Sequence, residues 1–163
     1  MDRFLFALTL VSALGCALVA GVFFAFSTFV MKALGRLPLA QGIAAMQSIN
    51  VAVLNPWFMT LFFGTAGTCL AVAVFSLVRW HEPGAVYLLA GGLLYLFGTI
   101  LVTIAFHVPR NDALAAVDPA GTEAGRLWAR YLRSWTAGNH VRTAAALAGA
   151  TSLLYALCCR PSP

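Results

Sequence analysis

The chain has 163 residues, of which 61% are hydrophobic and 9% charged, whereas soluble domains run near 45–50% apolar and about 25% charged. That excludes the disordered and fibrous classes and points to a membrane protein. No Asp, Glu, Lys, Arg or His interrupts residues 4–31, 37–78, 83–106 or 143–159, and one such group at a helix centre costs roughly 2.5–3.5 kcal/mol on insertion scales. The net charge of +5 comes from bases beside the apolar runs rather than in one stripe. The expected partners are therefore the lipid bilayer and a lipophilic or anionic small molecule, with no nucleic acid.

Asp2 and Arg3 open an apolar run that continues through Phe29. That is too long for the roughly 7–15 residues of a signal-peptide core, so the segment reads as a retained first span. The predicted spans are residues 4–29, 57–78, 85–106 and 141–158, giving an all-α integral membrane four-helix bundle with residues 1–163 as one transmembrane domain. Ala13, Ala17, Gly21 and Ala25 form one row at helical spacing and Ala144, Ala148, Ser152 and Ala156 another. Both rows are expected to face inward, as are Thr60, Gly64 and Thr68 and Gly91, Gly92 and Gly98, because small side chains let helix backbones approach in lipid.

A short interfacial helix is expected in each of the first and third loops. The first follows Pro38, with Ile43, Met46, Ile49 and Val53 at a spacing of three to four residues and Gln47 and Asn50 on a polar edge. The third begins at Asp118-Pro119 and sets Leu127, Trp128, Tyr131, Leu132 and Trp135 opposite Glu123, Arg126, Arg130 and Arg133, so it is predicted to lie in the interface plane. Arg3, Arg79 and Arg160 fall with the termini, and Lys32, Arg36, Arg110, Arg126, Arg130, Arg133 and Arg142 with the long loops. The positive-inside rule then places the long loops in the cytoplasm and both termini outside, in a membrane expected to be the bacterial inner membrane. Cys16 and Cys69 lie in spans, Cys158 and Cys159 are adjacent, and no zinc spacing appears.

Polar residues converge from three segments at the long-loop boundary: His107 through Asp112, Trp135 through Arg142, and Gln47, Asn50 and Asn55. Read as plain structure, Asn139 caps the fourth span, Asn111 caps a short turn, and Asn55 precedes a first-turn Pro56. Arg142 resists that reading, since a charge there needs a partner or a role. His107, His140 and Asp112 have the composition of a two-histidine, one-carboxylate iron site, and the two histidines alone could hold haem. The spans carry no carboxylate, which excludes a di-iron carboxylate bundle.

The segments Gly21–Ser27, Ala45–Asn50, Asn55–Phe58, Val108–Asp112 and Asn139–Thr143, with Trp135, resemble the anthrone-oxygenase-like family of small four-helix membrane proteins. Its fungal polyketide-pathway members are similar to enzymes that oxidise an anthrone methylene to the anthraquinone carbonyl with dioxygen as co-substrate, whereas most bacterial members have no assigned substrate. The resemblance implies that Asn111, Asn139, Arg142, Gln47, Asn50 and Trp135 share one polar site. It departs at His107, where Asn is expected, at Arg110, where an apolar residue is expected, and at Gly138, where Trp is expected. The expected chemistry needs no cofactor: His140 would act as general base, Arg142, Asn111 and Asn139 would stabilise an oxyanion, and Phe23, Phe24, Phe26, Trp57 and Phe58 would stack on a flat substrate. The competing expectations are iron or haem on His107 and His140, and a non-catalytic accessory or lipophile-binding protein.

Overall fold

A computed structural model describes residues 2–159. Met1 and residues 160–163 lie outside it, including Arg160 of the basic-residue count. Four helices are long and apolar enough to cross a membrane: α1 (Arg3–Leu34), α3 (Pro56–Val78), α4 (Ala85–Ala115) and α5 (Ala124–Cys158). Between α1 and α3 runs α2 (Leu39–Ala52), the helix expected after Pro38. Two helix starts follow directly from sequence. The Asp2 carboxylate accepts from Leu5 N–H at 2.9 Å, and the Asn55 side chain accepts from Phe58 N–H at 3.0 Å with Pro56 in the first turn.

The four long helices enclose an apolar core in which Cys16, Val19, Cys69, Val72, Tyr95, Ala146 and Leu153 are fully buried. Tyr95 reaches this core only because its hydroxyl donates to the Phe62 carbonyl at 3.0 Å. A second core closes the long-loop end, where Ile43 and Met46 of α2 meet Leu114, Trp128, Tyr131 and Trp135. At the opposite end Arg79 pairs with Asp2 at 2.7 Å. Gly84 there adopts φ 87°, and a Cβ on it would stand 3.2 Å from the Ala156 carbonyl oxygen. The Asp2 carboxyl is held below the usual carboxylate value of 3.8, first by the Leu5 N–H and then by Arg79.

Three expectations are corrected. The third-loop helix and the fourth span are one helix: α5 runs 35 residues without a break, about 52 Å at 1.5 Å per residue. Its buried stripe passes through Ala124, Trp128, Tyr131, Trp135, Asn139, Arg142, Ala146, Leu153 and Ala156. Asn139 is therefore an interior residue and caps nothing. The third span also continues past residue 106 to Ala115, through Pro109. Just ahead of that proline, residues Thr103–His107 widen into a π-helical turn, which accommodates a ring that would otherwise meet the preceding carbonyls. Finally, the small-residue rows face inward only in part: Ala13, Ala156, Gly91 and Gly92 are buried, whereas Ala17, Gly21, Thr60, Gly64, Ala144 and Ala148 are exposed. Close approach falls to the expected Gly91, Gly92 and Gly98 and to Gly15, where an added Cβ would stand 2.7 Å or less from a neighbouring helix. Small residues are cheap toward lipid as well as inside, so a row alone does not mark the buried face.

Candidate functional site

Between the two cores lies a cavity of about 370 Å³, within the usual range for small-molecule sites. Phe23 and Phe26 of α1, Met46 of α2, and Phe58 and Phe62 of α3 form its apolar wall. Its lining also includes Val51, Leu54 and Val108, which are exposed, so its rim is apolar. The polar lining comes from Gln47 and Asn50 on α2, Thr103, Asn111 and Asp112 on α4, and Trp135 and Arg142 on α5.

Arg142 is 5% exposed. Its Nη2 donates to Asn139 Oδ1 at 2.7 Å and its Nη1 to Thr103 Oγ1 at 3.1 Å. The guanidinium lies 4.1 Å from the centre of the Phe23 ring and 5.2 Å from that of Trp135, contacts that favour a cation. Among the described residues no carboxylate pairs with it, and its buried Nε has no hydrogen-bond partner. A buried charge kept this way is costly unless something else occupies its free edge.

Asn139 holds Arg142 in place. Its Nδ2 donates to the Phe23 carbonyl at 2.7 Å and to Ser27 Oγ at 2.8 Å, which leaves the amide oxygen for the guanidinium. Both ends of this assignment are forced, because a carbonyl only accepts and an arginine only donates. With its nitrogen so engaged, Asn139 positions Arg142 rather than meeting a ligand. Asn111 Oδ1 accepts from Tyr131 Oη at 2.8 Å and from Trp135 Nε1 at 2.9 Å. Gln47 Nε2 donates to the Leu114 and Val117 carbonyls at 2.9 and 3.0 Å, tying α2 to the end of α4. Asn50 reaches Tyr131 Oη at 3.5 Å.

The structure thus brings Arg142, Asn139, Asn111, Trp135, Gln47 and Asn50 to one place, while His140, Phe24 and Trp57 are elsewhere. His140 is exposed, on the outer stripe of α5 with Ala137, Ala144 and Leu147, about 100° around the helix from Asn139. Phe24 is 57% and Trp57 89% exposed, and the stacking surface belongs to their neighbours Phe23 and Phe58. His107 is buried, with Nδ1 3.3 Å from the Val102 carbonyl and Nε2 3.2 Å from that of Trp135. Neither ring nitrogen is turned to the cavity. With His107 locked on backbone, His140 on the outer stripe and Asp112 at the rim, the expected triad does not assemble. Among the described residues no group of three or more His, Cys, Asp or Glu converges, so the residues present fit neither the iron site nor a bis-histidine haem.

Two departures from the resembled pattern compensate for each other. A Cβ on Gly138 would stand 2.9 Å from His107 Cε1 and 2.4 Å from Phe106. The histidine thus fills the space that a larger residue at 138 would need. Arg110 braces the same corner, lying over the Phe106 ring at 3.3 Å and donating to the Phe106 carbonyl at 2.6 Å and to Ser134 Oγ at 3.3 Å. Sequence reasoning missed Tyr131 and Thr103 as site residues. The signal for Tyr131 was present: residues 128, 131, 135, 139 and 142 share one face if the helix is carried through Gly138.

A family model described as anthrone oxygenase matches residues 58–152, more than half of the chain, and the chain belongs to that family. No curated protein matches it, nor does any solved structure.

Proposed function

We propose that the cavity binds a flat, lipophilic aromatic of the anthrone type and oxidises its methylene to a carbonyl with dioxygen. The observation that carries this reading is the buried Arg142, with no carboxylate partner among the described residues and a free Nε, at the polar side of an aromatic-walled cavity among membrane-spanning helices. An anthrone is neutral until a methylene C–H breaks, and the electron pair then delocalises onto its carbonyl oxygen. Arg142 stabilises that oxyanion, which exists only once the proton has left, and so lowers the barrier rather than merely tightening binding. Asp112 is the one carboxylate in the cavity lining, and it takes the proton in place of His140.

The carbanion form adds dioxygen at carbon to give a peroxide anion, which is reprotonated. Loss of the remaining C–H proton with cleavage of the O–O bond releases water and leaves the carbonyl. One dioxygen supplies the carbonyl oxygen and the oxygen of the water, and the methylene carbon loses four electrons. The test is oxygen uptake by detergent-purified protein given anthrone, with anthraquinone measured in parallel. One anthraquinone per dioxygen, above the rate of protein-free micelles, is expected. Anthrone binding without added oxygen consumption would make this a lipophile-binding protein instead.

For topology, the same reading places the long loops in the cytoplasm. Arg110 and Arg142 are engaged inside the bundle, yet five of the seven bases remain on that side against three on the other. Reporter fusions at the C-terminus should be active only outside the cytoplasm.

A further inference from the structure

Asn111 presents a question that the oxyanion does not answer, because it bonds to the Nε1 edge of Trp135 while Arg142 lies over the ring of the same residue. The guanidinium carbon is 5.2 Å from the Trp135 ring centre, and the indole Nε1 on that ring donates to Asn111. An indole N–H cannot accept, so the Asn111 atom facing it must be the oxygen. Tyr131 donates to the same oxygen. With both acceptor positions of that oxygen filled from one side, the amide cannot flip without stranding the indole N–H. Asn111 lines the cavity, and among the described residues both of its side-chain hydrogen bonds are to Oδ1, so its Nδ2 is left as a donor.

We propose that Tyr131 and Trp135 are positioning residues that hold the Asn111 amide with its N–H groups toward the ligand. The site then selects planar molecules bearing acceptor oxygens over bare hydrocarbons of the same outline, with Asn111 as a donor besides Arg142. The inference rests on the cavity being a ligand site and concerns recognition, not turnover. The Gln47 amide belongs to the side where α2 meets the end of α4 and does not share the Tyr131–Trp135 clamp.

The test compares anthraquinone, with a carbonyl oxygen on each long edge and no donor, against anthracene, which has the same outline and no oxygen. Binding is followed by tryptophan quenching in neutral detergent at pH 8 with micelle-only controls. Wild type should prefer anthraquinone by about tenfold or more, the size expected for hydrogen bonds formed away from water. Asn111→Asp keeps acceptors for Tyr131 and Trp135 but turns a donor into an acceptor toward the ligand. It should abolish most of that preference while leaving anthracene affinity within about twofold. Tyr131→Phe combined with Trp135→Phe leaves Asn111 intact and frees it to rotate, and should reduce the preference severalfold; because Trp135 lines the cavity, the readout is the ratio of the two affinities. Circular dichroism and thermal unfolding establish that each variant is folded. Equal affinity for both probes in wild type, or an unchanged preference in Asn111→Asp or in the double variant, would overturn the proposal and leave the ligand-site reading standing. If wild type binds neither probe, both fall together.

Discussion

The two ends of the bundle bury polar side chains in opposite ways. At the terminus end Thr9, Ser12 and Ser76 are fully buried, and each hydroxyl donates to a carbonyl of its own helix, at 2.7, 2.8 and 2.7 Å. Such bonds satisfy the side chain and fix nothing between helices. At the long-loop end the bonds cross: Asn139 to Phe23, Gln47 to Leu114, Arg110 to Ser134, His107 to Trp135. The first end is held by the fit of small residues, with the Asp2–Arg79 pair and the Ser152–Tyr87 bond crossing only at its surface, whereas the second is held by an interior network that orients donors and leaves the Arg142 Nε free. Polarity marks function here only where it reaches between helices beside a space.

That contrast can be broken most severely at Arg142. Arg142→Met keeps the length of the side chain and removes the charge, and oxygen uptake with anthrone should fall about 10²–10³-fold. A variant that kept a third of the activity would show that the long-loop end is only structural. At the terminus side of the core, Gly92→Ala should act on stability alone. Its Cβ would stand 2.7 Å from the Cys69 backbone oxygen, a clash costing about 1–3 kcal/mol. A lower unfolding temperature with unchanged turnover per folded molecule is expected, and loss of turnover in the folded fraction would contradict the division.

A smaller effect should come from pH at the Asp2 clasp. The carboxyl titrates below its ordinary value in the folded chain, so its contribution is complete above the ordinary carboxylate range and is lost as pH falls through the lowered value. Nuclear magnetic resonance titration of Asp2 should show that depressed midpoint, and Arg79→Gln should raise it toward normal. The smallest effect is expected at His140, on the outer stripe of α5. His140→Ala should leave both oxygen uptake and unfolding unchanged within about twofold and ±0.5 kcal/mol. A large loss of turnover would return the proton transfer to that histidine.

The number of spans, the α2 helix and the grouping of Asn111, Asn139 and Arg142 were legible in the sequence, because charge gaps and helical spacing are properties of the chain itself. What was not legible depended on partners. Gly138-Asn139 looks like a helix start, since the usual uses of Gly and Asn are local. Here the glycine makes room for Phe106 and His107, and the asparagine bonds to α1. His140 looked like the base because it lies between Asn139 and Arg142 in sequence, but two helix neighbours of an inward residue can still face outward. The inward direction of Phe23 rather than Phe24 was likewise set by helix rotation, which an all-apolar segment does not reveal.

The continuity of α5 makes the site a matter of phase. Tyr131, Trp135, Asn139 and Arg142 ride on the same rod as Ala146, Leu153 and Ala156 in the bundle core, with no joint to absorb a mismatch. One residue inserted after Gly138 would advance everything before it by about 1.5 Å and turn it by about 100° relative to the core. Trp135 and Tyr131 would swing away from Asn111 while Arg142 stayed where it was, so the two donors facing the ligand would be uncoupled by a change that touches neither.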